Sequence, residues 1–549
     1  MYVLPRYPFR RPPELDGAVH SRRPVVIVGG GLTGLSLALD LTRRGVPTLV
    51  LDDDDTVGVR GLASRGMCWA QRTLDVFERL GVAERITAKG VAWNIARVLC
   101  KDLPVTSYAL QDQPDLRHNG FANLQQYYVE QYLVEALQSE PLVDLRWLSK
   151  VEDLVHDEDG VRLTVATPDG DYQLDAQWVV ACDGASSRCR AVLGLSPIVH
   201  ERTEDRWIII DVAVLNCDWP QERWTWLDAS ANGGRAVWRH KMADDTWRLD
   251  FQLHEDEDAA VAATPEAMRR RVHAMFGPDL EFEICWSGVW AYRHECMDQL
   301  RHGRVLFAGD AAHLVAPFGA RGGNGGVQDA DNLGWKLALV LQHGADAALL
   351  DSYTTERKQA AFENIRQARR SSRFVHPRGN VSASLWRDAI IAMAPELAKV
   401  ARTINTGRLS NPCRYTGSPL LAEGEGGGDA LPDVRLGDTS LHRLLGPWFT
   451  VIVFGNEVPA ALAALRHPLL QVALVGPACD ELARDALQRQ LGVAAGSGDA
   501  WLVRPDQHIA TRRAHMFPDE VLALLARALG DRRSASQLAH SHDLHAATA

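Results

Sequence analysis

Gly29-Gly30-Gly31-Leu32-Thr33-Gly34 fits the pattern GxGxxG, and it stands between an apolar run, Pro24–Val28, and a helical stretch, Leu35–Arg44. The run has the length and composition of a buried parallel strand. Arg43 and Arg44 suit the negative end of the helix, and Gly45 suits its C-cap. Thr48–Leu51 then reads as a second buried strand, which completes a βαβ opening. The glycines have separate tasks in such a unit. Gly29 permits the tight turn, Gly31 lets a pyrophosphate approach the backbone, and Gly34 lets the helix pack against the sheet. Leu32 and Thr33 open the helix, where free N–H groups and the helix dipole favour a phosphate anion. Asp52 ends the second strand, 18 positions after Gly34. A carboxylate there can accept from a ribose diol. The acidic run Asp52–Asp55 would repel a 2′-phosphate, which favours FAD or NAD over NADP at this site.

Two later segments choose between them. Trp178–Gly184 ends an apolar strand on Asp183-Gly184, and Ser187 and Arg190 complete the spacing DGxxSxxR. Gly303–His313 ends another strand on Gly309-Asp310. A carboxylate at that strand end can accept hydrogen bonds from a polyhydroxylated chain such as the ribitol of FAD. Downstream, Ala316–Gly326 is too rich in glycine for a simple connection. Glycines there let backbone N–H groups converge on a ligand, and a helix expected from Val327 to Gln342 would point its positive end back at them.

With these three motifs in this order, residues 24–370 resemble the single-component FAD-dependent aromatic hydroxylases, the class A flavoprotein monooxygenases. The branch is that of the phenol, 3-(3-hydroxyphenyl)propionate and 4-hydroxybenzoate hydroxylases. The resemblance implies a Rossmann-like α/β FAD-binding domain with an interleaved β-rich substrate domain. It implies FAD as cofactor and NADH or NADPH as cosubstrate. It also implies oxygen activation at flavin C4a as a hydroperoxide, followed by attack of a small phenol on the distal oxygen. Residue by residue, it implies that Gly29, Gly31, Leu32, Thr33, Gly34 and Asp52 hold the ADP half. Arg65 faces the pyrophosphate side, Gln126 the flavin side, and the Val151 backbone the adenine. Asp183 serves both FAD and NAD(P)H, while Gly309 and Asp310 hold the ribitol. Pro317, Gly322, Gly323 and Asn324 line the isoalloxazine ring. Arg321 stands where the family usually has glutamine, and with Pro317 it is assigned to catalysis through positive potential near the ring. His240, Tyr292 and His294 fall in the expected substrate region, each read as a packing residue. None is singled out as a phenol-deprotonating base.

The rest of the chain divides around this frame. Residues 1–23 read as an arm, 24–200 as the first part of the FAD-binding domain, and 201–302 as a tryptophan-rich β domain. Residues 303–407 carry the Gly309-Asp310 segment and helices, and 408–432 read as a linker. Residues 433–532 resemble a thioredoxin-like domain without a CxxC pair, and 533–549 read as a tail. At 549 residues the chain is too long for one core. Its net charge of −11 argues against a nucleic-acid partner. No run of 18 apolar residues is present, so no membrane span is expected. The arm lacks the apolar stretch of a secretory signal. Nine cysteines without metal-type spacing read as reduced cytoplasmic thiols, and no metal is expected. A homodimer is compatible with all of this.

Two other readings remain. A flavin-dependent oxidase or halogenase would share the fold, but Trp224-Thr225-Trp226-Leu227 lacks the Ile-Pro of the halogenase WxWxIP motif. A redox-silent FAD-binding protein is opposed by the intact Asp183 and Asp310 motifs.

Overall fold

The computed structural model describes residues 2–17, 22–58, 63–93, 95–109, 113–118, 120–377, 380–407, 409–422, 426–476 and 479–529. The tail expected at 533–549 lies outside them. Strand β1 (Arg23–Val28), helix α1 (Leu32–Arg43) and strand β2 (Thr48–Leu51) form the βαβ unit at the expected places. The apolar runs form strands because both sheet faces are covered, as the complete burial of Val25, Val26 and Ile27 shows. Strand β1 lies parallel between β2 and the end of strand Gly170–Ala181. Val305–Phe307 extends this parallel sheet on one side and Val143–Arg146 on the other. The Gly29 turn, Asp183 and Gly309-Asp310 all follow carboxyl ends of neighbouring strands, where ligands of α/β sheets bind.

The second sheet is eight-stranded and mixed. Its order is His313–Leu314, Phe282–Cys296, Ile198–Val214, Thr246–Gln252, Arg235–Lys241, Arg223–Ala229, Ile95–Cys100, Leu103–Ala109. The β-rich unit expected over 201–302 therefore also takes a hairpin from the first segment, residues 95–109. The third sheet pairs Phe449–Phe454 parallel to Leu470–Leu474 and antiparallel to Asp499–Val503, with Ile509–Arg513 beyond. That βαβ unit with an added ββ pair is the thioredoxin-like arrangement. The arm has one short 3₁₀ turn, Pro13–Asp16, and is packed down. Tyr7 stacks on Trp147 at 4.5 Å and Tyr2 on Tyr127 at 4.9 Å. No helix among the described residues is long and apolar enough to cross a membrane.

One expected boundary moves. The helix expected from Val327 opens at Arg321 and runs to Gln342, so the glycine-rich stretch forms its first turns. Glycine costs about 1 kcal/mol per helical position, and tertiary contacts offset it here. Asn324 accepts from the Ala70 amide at 2.9 Å and donates to the Cys68 carbonyl at 2.8 Å. A Cβ on Gly326 would stand 2.3 Å from Thr33 Oγ1, so only glycine lets the helix meet α1.

The C-terminal unit is fastened to the first by buried charges. Arg504 donates to both Glu356 oxygens and to Asp506, and Lys336 Nζ donates to Glu356 at 2.7 Å. All four side chains are fully buried. Removing one partner from such a cluster leaves uncompensated charge and costs about 3–5 kcal/mol. Glu356→Gln should therefore lower the thermal unfolding midpoint by several degrees in a calorimetric scan. An unchanged midpoint would show that the cluster does not hold the units together.

Candidate cofactor and substrate site

The first helix starts where three elements touch. A Cβ on Gly34 would lie 2.0 Å from the Gly29 carbonyl, which fixes the turn tightly under α1. Gly309, at φ +60°, places its α-carbon so that a Cβ would reach Thr33 Oγ1 at 2.5 Å. Thr33 is thus pressed between the Gly309-Asp310 turn and the Gly326 backbone of the third element.

Beneath this junction lies Asp329, fully buried on the glycine-opened helix. One of its oxygens accepts from the Gly309 amide at 2.9 Å and from His313 Nε2 at 2.7 Å. The other accepts from Arg357 Nε at 2.6 Å, and Arg357 also donates to the Gly325 carbonyl at 3.1 Å. Burial alone would push this carboxyl up. His313 and Arg357 outweigh burial and hold it down at about 2.

Each expected residue has a definite place. Asp52 ends β2 and accepts from the Gly30 and Asp54 amides. Burial pushes it up to about 7 against those two bonds. Val151 is buried in strand Lys150–His156, close to the Ser149 amide that donates to the Asp52 carbonyl at 2.7 Å. Asp183 accepts from the Cys189 amide at 2.9 Å, and its other oxygen is buried without a partner. Gln126 accepts from the Gly66 amide at 3.1 Å and donates to Glu130 at 2.8 Å. Arg65, at φ +39°, and Asp310 face each other with 3.9 Å between guanidinium and carboxylate, and both are partly exposed. Gly322 and Gly323 are half-buried in the first turn of their helix, where amides lack intrahelical acceptors, and a Cβ on Gly322 would meet nothing within 4 Å. Pro317 precedes Phe318 at the same end.

Arg321, expected to lend positive potential near the ring, lies at the first position of the glycine-opened helix. Its guanidinium is buried and donates to Asn364 Oδ1 at 3.0 Å and to the Leu409 carbonyl at 3.3 Å. Burial pushes its pKa down to about 10, so it is still charged at neutral pH.

Sequence reasoning missed two groups. Glu130 is fully buried and accepts from the Leu32 amide at 3.1 Å and the Gly58 amide at 2.9 Å. Its only sequence signal was its place four residues after Gln126. The second group comes from the β-rich sheet. Asp211 accepts from the Ser64 amide and hydroxyl, at 3.2 and 3.1 Å. Arg248 donates to the Arg65 carbonyl at 2.9 Å and to Asp250 at 2.9 Å. Burial pushes Asp211 up to about 7, with Arg248 opposing. Phe318 meets the rings of Trp238, Trp207 and Tyr292 at 5.4, 6.3 and 6.4 Å. His240 stands 3.6 Å from Asp250. The rings of Trp207, Trp238, Tyr292 and Phe318 form one buried cluster, with Trp207, Trp238 and Phe318 at 0%, 6% and 2% exposed, that packs the β-rich sheet against the residue after Pro317.

These residues fit FAD. Asp183 keeps a buried oxygen without a partner, Arg65 and Asp310 are partly exposed across 3.9 Å, and Gly322 and Gly323 lie half-buried at a helix N-terminus, so acceptors and donors for its hydroxyls and phosphates are at hand. The FAD binding domain family matches residues 22–368. A 3-(3-hydroxy-phenyl)propionate/3-hydroxycinnamic acid hydroxylase of Mycolicibacterium smegmatis is 31% identical over 396 residues, covering 71% of this chain and 68% of that one. A 6-methylpretetramide 4-monooxygenase of Streptomyces rimosus is 28% identical over 551 residues, covering 91% and 92%. The crystal structure of the flavin-dependent monooxygenase PieE, in complex with FAD and substrate, shares the fold at 22% identity. Its TM-score is 0.77, over 94% of this chain and all of that one.

The depressed carboxyl of Asp329 gives a signed expectation. Its folded pKa of about 2 lies below the ordinary 3.8, so its contribution is present above about pH 4 and is lost as pH falls towards 2. The linked stability is about 2 kcal/mol. Asp329→Asn should lower the melting temperature at pH 7, and the gap from wild type should narrow between pH 4 and pH 2. A gap independent of pH would refute the linkage.

Proposed function

This chain belongs to the FAD binding domain family as an FAD-dependent aromatic hydroxylase, and we propose that it hydroxylates a small phenolic compound with O₂ and electrons from NADH or NADPH. The observation that carries this is the gathering of the Gly29 turn, Asp183 and Gly309-Asp310 at the carboxyl ends of three neighbouring parallel strands, with the glycine-opened helix joined to the same junction through Asp329 and Gly326. When bound, FAD supplies the redox chemistry and the activation of oxygen.

The chain's own residues bind, orient and exclude water. Gly29, Gly31, Leu32, Thr33, Gly34 and Asp52 would hold the ADP half, with Asp52 keeping lone pairs beside the two amides it already accepts. The Val151 backbone would meet the adenine. Arg65 would hold the pyrophosphate side and Gln126 the flavin side. Asp183 would serve both FAD and NAD(P)H, and Gly309 and Asp310 would hold the ribitol. The amides of Gly322, Gly323 and Asn324 would lend positive potential to the ring. Arg321 reinforces that end of the helix through its position, since its side chain is turned to Asn364. The buried cluster of Trp207, Trp238, Tyr292 and Phe318 would close the β-rich side of the site against water.

A second reading concerns substrate size. The Streptomyces rimosus relative matches through the C-terminal unit as well, over 91% of this chain. That supports a substrate of the 6-methylpretetramide kind beside the phenylpropionate kind.

Two measurements test the proposal. Purified protein should be yellow, and phenols of both kinds should be screened for stimulated NADH or NADPH oxidation with hydroxylated product. A yellow protein that neither oxidises a nicotinamide faster with any phenol nor forms product would sink the hydroxylase reading. Asp310→Ala should weaken FAD binding about tenfold or more, since a charged hydrogen bond contributes about 1.5–3 kcal/mol. Wild-type flavin content after dialysis would count against Asp310.

A further inference from the structure

Away from the cofactor site, Asp75, Asp433 and His442 bring two carboxylates and an imidazole together, with one ligand atom of each within 4.8 Å of the others. Asp75 lies on helix Gln71–Arg79 of the FAD-binding unit. Asp433 and His442 flank the small hairpin of Arg435–Leu436 and Thr439–Ser440, where the C-terminal unit begins. Asp75 and Asp433 are 4% and 1% exposed, and the His442 side chain 6%.

The hydrogen bonds leave two atoms of this cluster, Asp75 Oδ1 and His442 Nδ1, without a partner. His442 Nε2 stands 2.7 Å from the Leu431 carbonyl, which can only accept, so Nε2 carries the proton. Nδ1 then presents a lone pair. It is buried without a hydrogen bond, and 4.0 Å separates it from Asp433. Asp433 is held by the His442 amide at 2.8 Å and the Ser440 hydroxyl at 3.0 Å. Asp75 Oδ1 is buried with no partner at all. Arg72 is the cation beside Asp75; its terminal nitrogens donate to Asp331, Gln507 and the Asp506 carbonyl, and its buried Nε makes no hydrogen bond to Asp75 or to any other group. Two buried acceptors without a hydrogen bond, Asp75 Oδ1 and His442 Nδ1, therefore meet Asp433 at the junction of the units, and such burial is unfavourable unless a cation joins them.

We propose that Asp75, Asp433 and His442 bind a divalent transition-metal ion, with zinc the best match, that clamps the C-terminal unit onto the FAD-binding unit. One imidazole with two carboxylates suits zinc better than calcium or magnesium, which prefer oxygen alone. A ligating histidine typically donates its other N–H to a carbonyl or carboxylate, and ligating carboxylates are themselves hydrogen-bonded. His442 with Leu431, and Asp433 with Ser440, have these supports in place. Ligand atoms about 2.0–2.2 Å from a tetrahedral ion lie about 3.3–3.6 Å apart. The 4.0 Å between His442 Nδ1 and Asp433 must close by about half an ångström, and a pair as wide as 4.8 Å by more than about 1 Å, so the ion would draw the three side chains together. A second oxygen of Asp75 or a water would complete four-coordination.

The test uses full-length FAD-loaded protein purified without chelator, and elemental analysis after dialysis against zinc sulfate. A single zinc ion per chain is expected. Chelation should lower the melting temperature by several degrees, and added Zn²⁺ should restore it. His442→Ala and Asp75→Asn should hold no zinc and show no response to it, with FAD content unchanged. Should Asp75→Asn fail to fold, His442→Ala and the chelation of wild type decide. Wild-type protein that takes up no metal and melts identically with chelator and with Zn²⁺ would overturn the proposal and leave a shared proton as the neutralising cation. Equal zinc uptake by wild type and His442→Ala would overturn it as well.

Discussion

The Asp329 carboxylate is the constraint on which the cofactor site depends. It is a single buried charge that must be satisfied from several directions at once. It takes the Gly309 amide, the His313 ring and the Arg357 guanidinium, while Arg357 reaches on to the Gly325 carbonyl. The Gly309-Asp310 turn, the strand after it and the glycine-opened helix are thereby fixed relative to one another. Thr33 then sets α1 against the same junction by contact alone. A site for a long, segmented cofactor needs this rigidity, because its acceptors and donors come from strand ends far apart in sequence.

Glycine has two different uses here, and only one concerns the ligand. Gly34 and Gly326 allow backbones to approach, and a side chain at either would strike an oxygen of its neighbour. Gly322 meets nothing, so its lack of a side chain leaves space in front of the helix end. The same helix end carries the inward-turned Arg321. Its guanidinium is tied there by hydrogen bonds to Asn364 and the Leu409 carbonyl.

Buried charge also sets how the units join. Arg504, Asp506, Glu356 and Lys336 tie the thioredoxin-like unit to the long helices behind the cofactor site. Such pairs contribute little net stability over an apolar contact, but they fix one arrangement, since a shifted interface would strand full charges. The cluster of Asp75, Asp433 and His442 at the same junction leaves Asp75 Oδ1 and His442 Nδ1 buried without hydrogen bonds.

The sequence alone determined the βαβ opening, the order of the three motifs and the strand ends that carry Asp52, Asp183 and Asp310. These are local properties: an apolar run, a glycine spacing and a carboxylate at a fixed offset. It also carried the thioredoxin-like character of the C-terminal unit, through the lengths and order of its elements. The start of the glycine-opened helix was beyond it, because glycine opposes helix locally and only Thr33, Ala70 and Cys68 reverse that preference. The inward turn of Arg321, the amide-binding of Glu130 and the network of Ser64, Asp211 and Arg248 were hidden for the same reason. Each joins residues tens to hundreds of positions apart. Asp75, Asp433 and His442 have no metal spacing in the chain and meet only because one helix of the first unit packs on a hairpin of the last. Burial converts such meetings into strong constraints, and burial is decided by the tertiary structure.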